Sequence, residues 1–350
     1  MTYFDQTIHR VGFACKYMHP DRTLSKKLLE DIERPINGRT TTVKWLSSQP
    51  KRRAEERLWE LTKSNINSVR LLIKYVATLP PNQRMVRIGS EVMPVYTHPD
   101  WSYFYQQPDV KTYCERTLAA IGDLAREHDV RVSMHPGQFC VLASDNPDTV
   151  NNSIDEFEYH IDIARMMGYG QKFMDMKVNV HIGGRGGPDG IRAVLPRLST
   201  EARNCLTIEN DEMSWGLDAS LELANDVALV LDIHHHLIRD EEYIQANDDR
   251  FKRVIDSWRG VRPTIHYSVS REDLLVGHDP NVLPDMKQLL ESGYKKAKLR
   301  AHSDMMWNHA SNDWALTFLP YSDIMVESKF KNLASTKLVE HYERQIKAAV

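Results

Sequence analysis

The segment Leu231-Asp232-Ile233-His234-His235-His236 places an aspartate three residues before the middle of three consecutive histidines. Lying well inside the chain, the run is not an affinity tag. It is either a histidine-rich surface loop or the mouth of a metal site, and the rest of the chain decides between them. His135 in SMHPGQF, His181 in VNVHIGG, Glu209 in LTIENDE, His266 in PTIHYS and Glu327 in DIMVESK each end or directly follow a short apolar run, as Asp232 and His235 do. Any one histidine in such a place is ordinarily a hydrogen-bonded core residue, and a lone Glu209 or Glu327 is ordinarily a salt-bridge partner. As a set they resist that account, because buried charge is costly unless paired or coordinated. Imidazole and carboxylate without thiolate suit Zn²⁺, Mn²⁺ or Fe²⁺. Seven donors exceed what one tetrahedral ion needs. Two or three ions bridged by a carboxylate, about 3.5–4 Å apart, use them better, and such clusters activate water and stabilise the attacking and leaving oxygens of phosphodiester hydrolysis.

The elements that must bring these residues together are eight β-rich runs: Arg10–Cys15, Met85–Ser90, Val130–Met134, Val178–Ile182, Cys205–Glu209, Ala228–Ile233, Pro263–Ser268 and Ile324–Ser328. Helical spacing of apolar residues marks segments between them, such as Val110–His128 and Asp155–Met167. Continuous apolar strands alternating with helices predict an α/β fold, a (β/α)8 TIM barrel with elaborated βα loops. Its C-terminal strand ends converge on one face, so residues distant in sequence meet in one pocket. The expectation is one domain over residues 1–350, with long loop insertions at about 30–60 and 270–320; within the second, Lys298–Ser303 reads as an extra short strand.

Bulk properties narrow the function class. A hydrophobic fraction of 41% suffices for a large core, and a net charge of −3 gives no global basic signature, so a nucleic-acid partner would need a local patch or bound cations. Local positive charge on the expected active face comes from Arg185 after HIGG and Lys329 after Glu327, while the glycines of HIGGRGG offer backbone amides to a phosphate. The four cysteines are widely separated and form no C-x-x-C pair, which fits a reducing cytoplasm. With no apolar signal core and no membrane-length stretch, the expected location is cytoplasmic and DNA-associated, with no membrane and no obligate protein partner.

Taken in order, HPGQF, HIGG, IENDE, LDIHHH, IHYS, RAHSD and DIMVESK resemble the UV damage endonucleases, which are similar in fold and metal cluster to the endonuclease IV type of apurinic endonuclease. The resemblance runs from Arg10 to about Leu333. It implies a nuclease that nicks damaged double-stranded DNA immediately 5′ to pyrimidine photoproducts, without ATP. Mn²⁺ is the favoured ion, with Zn²⁺, Co²⁺ or Mg²⁺ as alternatives, in two or three sites. By the same resemblance His135 and His181 hold one metal, with Glu209 bridging to a second held by Asp232, His266 and Glu327. His235 and His302 hold a third. Glu209, Asp232 and His98, the last near the scissile phosphate, are the implied catalytic residues. Gln138 and Phe139 stand where the family inserts a polar and an aromatic side chain at the lesion, in keeping with the lower cost of extruding a damaged base.

Two positions depart from the pattern. Thr264 replaces a lysine that the family modifies to help bind metal, and Phe13 replaces a tyrosine, keeping a ring for stacking but losing a hydroxyl. The alternatives are an apurinic endonuclease, a sugar isomerase or epimerase of the xylose-isomerase type, and a non-catalytic lesion binder. The histidine-rich donor set and the HPGQF loop favour the nuclease over the isomerase, and retention of Glu209 and Asp232 argues against the binder.

Overall fold

The computed structural model describes residues 3–348; residues 1–2 and 349–350 of the expected 1–350 domain lie outside them. Eight parallel strands are ordered β6-β5-β4-β3-β2-β1-β8-β7. They are β1 Val11–Cys15, β2 Met85–Ile88, β3 Arg131–Met134, β4 Lys177–His181, β5 Leu206–Glu209, β6 Ala228–Val230, β7 Thr264–Tyr267 and β8 Asp323–Val326. The two ends of this sheet meet through a single parallel bridge between Asp232 and His266, where the His266 N–H donates to Leu231 O at 3.0 Å. The expected (β/α)8 barrel is thus the fold, closed across the pair that carries two of the candidate ligands.

The strands read as apolar runs because helices cover their outer face, and the covering helices follow the expected spacing. The 27-residue helix Lys51–Ala77 buries Ala54, Leu58, Leu61, Asn65, Ile66, Val69, Leu72, Ile73 and Val76, a stripe at three- and four-residue intervals. It stops just short of Pro80 and Pro81, which cannot continue a helix. Residues 51–60 therefore belong to a regular barrel helix. The long connection after β1 is confined to residues 16–50, with the short helices Lys26–Glu33 and Val43–Ser47. Helices Pro108–Glu127 and Pro147–Met166 occupy the two other segments read as helical, and Asn146 caps the second by accepting from the Asp148 and Thr149 N–H groups.

Two local expectations are corrected. Lys298–Ser303 is not a strand: Lys296–Leu299 is a helical turn, held where Lys296 Nζ donates to Arg239 O at 2.7 Å, and only His302 pairs, in one antiparallel bridge to Ser270. The sixth strand ends at Val230 rather than Ile233, because Asp232 caps the helix Ile233–Asp240, its carboxylate accepting from the His235 N–H at 2.8 Å. The three histidines thus form a helix's first turn, and the three-residue spacing sets Asp232 and His235 side by side.

At the opposite, N-terminal end the barrel is sealed by charge. The Asp323 carboxylate, fully buried, takes Arg131 at 2.6 Å and Arg262 at 2.7 Å and also caps the Arg10 N–H at 2.9 Å. That end reads as stability, and the chemistry belongs to the other. No helix among the described residues is long and apolar enough to cross a membrane.

Candidate metal centre

At the C-terminal end the strands deliver their donors into one open cavity of about 680 Å³, lined by His135, His181, Glu212, His235, His302 and Glu327 together with Arg87, Gln138 and Arg300. Beneath its floor lie Glu209, Asp232 and His266, each fully buried. Glu209, at the end of β5, is the hub. Its Oε2 is 3.4 Å from His135 Nε2 and 3.7 Å from His181 Nε2, while its Oε1 is 3.0 Å from His266 Nδ1 and 3.5 Å from His235 Nδ1. Asn179 donates to Oε2 and is itself set by the Thr207 hydroxyl at 2.8 Å. Three groups of side chains place donor atoms close enough to share an ion: His135–His181–Glu209, Glu209–Asp232–His266 and His181–Glu212–His235.

The imidazoles are oriented for ligation. His135 Nδ1 lies 2.8 Å from Pro136 O and His235 Nδ1 lies 3.0 Å from Asn210 O; a carbonyl only accepts, so each Nδ1 carries hydrogen and each Nε2 faces the cluster. His181 does likewise through Asp211, at 3.3 Å. His266 is reversed, its Nε2 standing 2.7 Å from Lys177 Nζ and its Nδ1 turned to Glu209 and Glu327. Thr264, where the resemblance has a lysine, is buried, and the lysine that reaches His266 comes instead from the start of β4.

The electrostatics are those of a site with surplus negative charge. Burial lowers His135 to about 3 and His266 to about 4, so both are neutral and ready to ligate. Burial likewise drives Lys177 down to about 7. Burial also disfavours charge on Glu209, yet His266 and His181 outweigh it and hold the carboxyl well below its usual range. Asp232 is pushed up to about 8 by burial, and neighbouring Glu209 and Glu327 add to the rise. At His235, Asp232, Glu209 and Glu212 overcome burial and raise the imidazole to about 10. Protons are being held where a divalent cation would displace them. The donors fit such a cation on a second count: Asp232 Oδ2 is buried and has no hydrogen-bond partner among the described residues.

Expected residues outside the cluster fall into two groups. Phe139 and Gln138 occupy the tip of a turn closed by the Cys140 N–H on Gly137 O at 2.9 Å, with buried Cys140 as its anchor. The turn leaves the Phe139 ring 85% exposed, beside a cavity that Gln138 lines. Arg185 is also exposed, paired to Asp145 at 3.0 Å, and Lys329 pairs with Asp304 at 3.0 Å. His302 lines the cavity with Nδ1 4.0 Å from Glu327 Oε2. His98 is not brought to the cavity; its Nδ1 accepts from the Asp100 N–H in a local turn. Phe13 corrects an expectation, since it is 1% exposed and stands edge-on to Tyr75, so it fills the wall of the barrel and offers no face for stacking. The glycines of HIGGRGG likewise serve packing: Gly184 adopts φ +89°, an added Cβ there would lie 2.3 Å from Ala143 O, and the Gly183 and Gly186 amides are taken by His181 O and Ala143 O.

The sequence reading missed Arg87, Lys177, Asn179 and Glu212. Arg87 projects from β2 and pairs with Glu327; burial opposes its charge, but Glu327 more than compensates and raises the guanidinium above its usual value. A signal for three of the four existed. Lys177, Asn179 and His181 alternate along β4, and Arg87 interrupts the apolar β2, so each polar side chain points inward.

The family model described as UV-endonuclease UvdE matches residues 9–350. The chain belongs to that family. Among curated relatives, the UV-damage endonuclease of Schizosaccharomyces pombe is 26% identical over 349 residues; the match takes in 96% of this chain but only 51% of that protein, so the chain spans about half its length. The UV DNA damage endonuclease of Bacillus velezensis is 25% identical over 300 residues, covering 82% of each. The crystal structure of SacUVDE superposes with a TM-score of 0.70 at 23% identity, covering 97% of this chain and 99% of that one, which shows the shared barrel.

Proposed function

We propose that this chain is a metal-dependent DNA repair endonuclease. In this reading it hydrolyses the phosphodiester immediately 5′ to cyclobutane pyrimidine dimers and 6-4 photoproducts in double-stranded DNA, with abasic sites as a second substrate class. It needs no ATP, uses Mn²⁺, and leaves 3′-hydroxyl and 5′-phosphate ends. The observation that carries the reading is the pairing of a buried multi-histidine, multi-carboxylate cluster with an exposed aromatic turn on the same rim. Membership of the UvdE family and the names of the two relatives, both UV-damage endonucleases, support the choice of substrate.

Divalent ions held by His135, His181, Glu209, Asp232, His235, His266, His302 and Glu327 would supply an activated water and neutralise charge on the attacking and leaving oxygens. The protein's own groups do the rest. Pro136 O and Asn210 O fix the ring orientation of His135 and His235. Asn179 orients the Glu209 carboxylate, and Arg87 orients that of Glu327. Phe139, exposed at the rim, enters the space left by a distorted base pair, and Gln138 lines the cavity beside it. Arg185 and Lys329 meet the backbone, so binding weakens steeply with salt. One barrel domain is sufficient for all of this.

Ligation tests the assigned products. A nick with 3′-hydroxyl and 5′-phosphate ends next to a photoproduct is a direct substrate for DNA ligase, given duplex tolerance of the lesion, and mass analysis of the two fragments reads the ends without the ligase. Fragments ending in 3′-phosphate, or a cut 3′ to the lesion, contradict the proposal.

A further inference from the structure

We infer that Glu212 is a metal ligand of this chain, closing a site with His235 and Asp232, and that Arg300 is the residue that positions it. The inference rests on the metal-centre reading above and extends it to a carboxylate that the resemblance left without a role.

The geometry is that of an ion site rather than of hydrogen bonding. Glu212 Oε2 lies 3.4 Å from His235 Nε2, and Asp232 Oδ2 lies 3.6 Å from the same nitrogen. Two donors each about 2.1 Å from a tetrahedral ion stand about 3.4 Å apart. Asp232 Oδ1 is used by the helix cap, whereas Oδ2 is buried without a hydrogen-bond partner among the described residues. The Glu212 side chain is nearly as buried, at 8% exposure for the residue, and His181 brings a further nitrogen into the same group. His302, the other residue the resemblance assigned to this region, has its Nδ1 4.0 Å from Glu327 Oε2 and does not join the group.

Arg300 explains how Glu212 stays in place. Its Nη1 is 2.5 Å from Glu212 Oε1, which leaves Oε2 directed at His235. The guanidinium comes from the end of the short helix Lys296–Leu299, so the long connection between β7 and β8 takes part in building the centre. A plain surface ion pair accounts for Oε1 alone. It does not explain why Oε2 and Asp232 Oδ2 both face His235 Nε2.

The test counts ions. Wild-type protein, Glu212→Gln and Arg300→Met are stripped with chelator, shown to be folded by circular dichroism, and equilibrated with Mn²⁺ at defined free concentrations. Glu212→Gln is expected to bind one Mn²⁺ fewer than wild type. Arg300→Met keeps the wild-type number but holds the last ion about 10- to 100-fold more weakly, the usual scale for losing a group that orients a ligand. Equal ion number and affinity in wild type and Glu212→Gln overturns the inference, whatever happens to stability. If wild type itself binds no Mn²⁺, the metal-centre reading fails first, and the two failures are told apart by that lane. Should Glu212→Gln not fold, Glu212→His keeps a donor in place and should shift the last ion's preference from Mn²⁺ towards Zn²⁺; an unchanged preference counts against Glu212.

Discussion

Phe139→Ala separates recognition of damage from everything else the protein does. The ring is 85% exposed, so in the free protein its loss creates no cavity and should alter stability by less than about 0.5 kcal/mol. What it can contribute on DNA follows from that exposure. A phenylalanine has about 200 Å² to bury, and the exposed share at about 25 cal/mol per Å² sets a ceiling of about 4 kcal/mol. Incomplete desolvation brings the figure down to the scale of base–aromatic stacking, about 1–3 kcal/mol. That is about a 5- to 150-fold loss of affinity, and it should fall on damaged duplex alone, because intact stacked DNA offers no gap to fill. Fluorescence anisotropy with matched duplexes, one carrying a single pyrimidine dimer, measures both affinities in chelator. Equal losses on the two duplexes would refute the wedge, as would a fall in melting temperature that shows the ring to be structural.

Other expectations follow from the centre and its surroundings. Glu209→Gln removes the hub carboxylate and should lower both Mn²⁺ content and nicking, the latter by at least about a thousandfold, with the barrel still folded by circular dichroism; near-wild-type nicking would sink the assignment. His160, buried in Pro147–Met166 with Nδ1 2.7 Å from Glu156 O and Nε2 2.9 Å from Ser90 Oγ, is lowered by burial to about 4. An unfolded histidine takes up its proton below about 6.5, so the folded state is penalised as pH falls through 6.5 towards 4, and its stability rises with pH over that window. Denaturant unfolding across the window should show His160→Gln with a slope shallower by up to about 1.4 kcal/mol per pH unit, and an unchanged slope would place the acid lability elsewhere. Asp323→Asn strips the carboxylate that neutralises Arg131 and Arg262 at the base of the barrel and should cost about 3–5 kcal/mol by the same unfolding assay, without changing Mn²⁺ number.

The barrel was legible because parallel strands covered by helices read as mainly apolar runs, and because six of the eight runs, the third to the eighth, lead into a histidine or carboxylate that water or metal must satisfy. The limits of that legibility are local and physical. His235 was singled out, but not its setting: a helix cap at Asp232 turns the chain after Val230, and no strand periodicity anticipates the turn. Phe13 was misplaced because strand alternation alone does not say which face meets the helices, and its ring faces Tyr75. Glu212 stayed hidden because it follows β5 in irregular backbone, and its orienting partner Arg300 lies 88 residues further on, in a connection with no barrel counterpart. Lys177 and Arg87 were visible in principle, as charges inside apolar strands, and their meaning depended on the residues across the barrel.

The central claim is that the cluster around Glu209 cuts damaged DNA with bound divalent ions, and one titration tests it directly. Chelator-stripped protein is given Mn²⁺ stepwise while bound ions and nicking of an end-labelled duplex with one pyrimidine dimer are read from the same samples. The account predicts no nicking in chelator, then a single cut immediately 5′ to the dimer that appears only as ions fill the centre, two or more per chain. Full nicking in excess chelator, or ion binding with no cut in the damaged duplex, would contradict it.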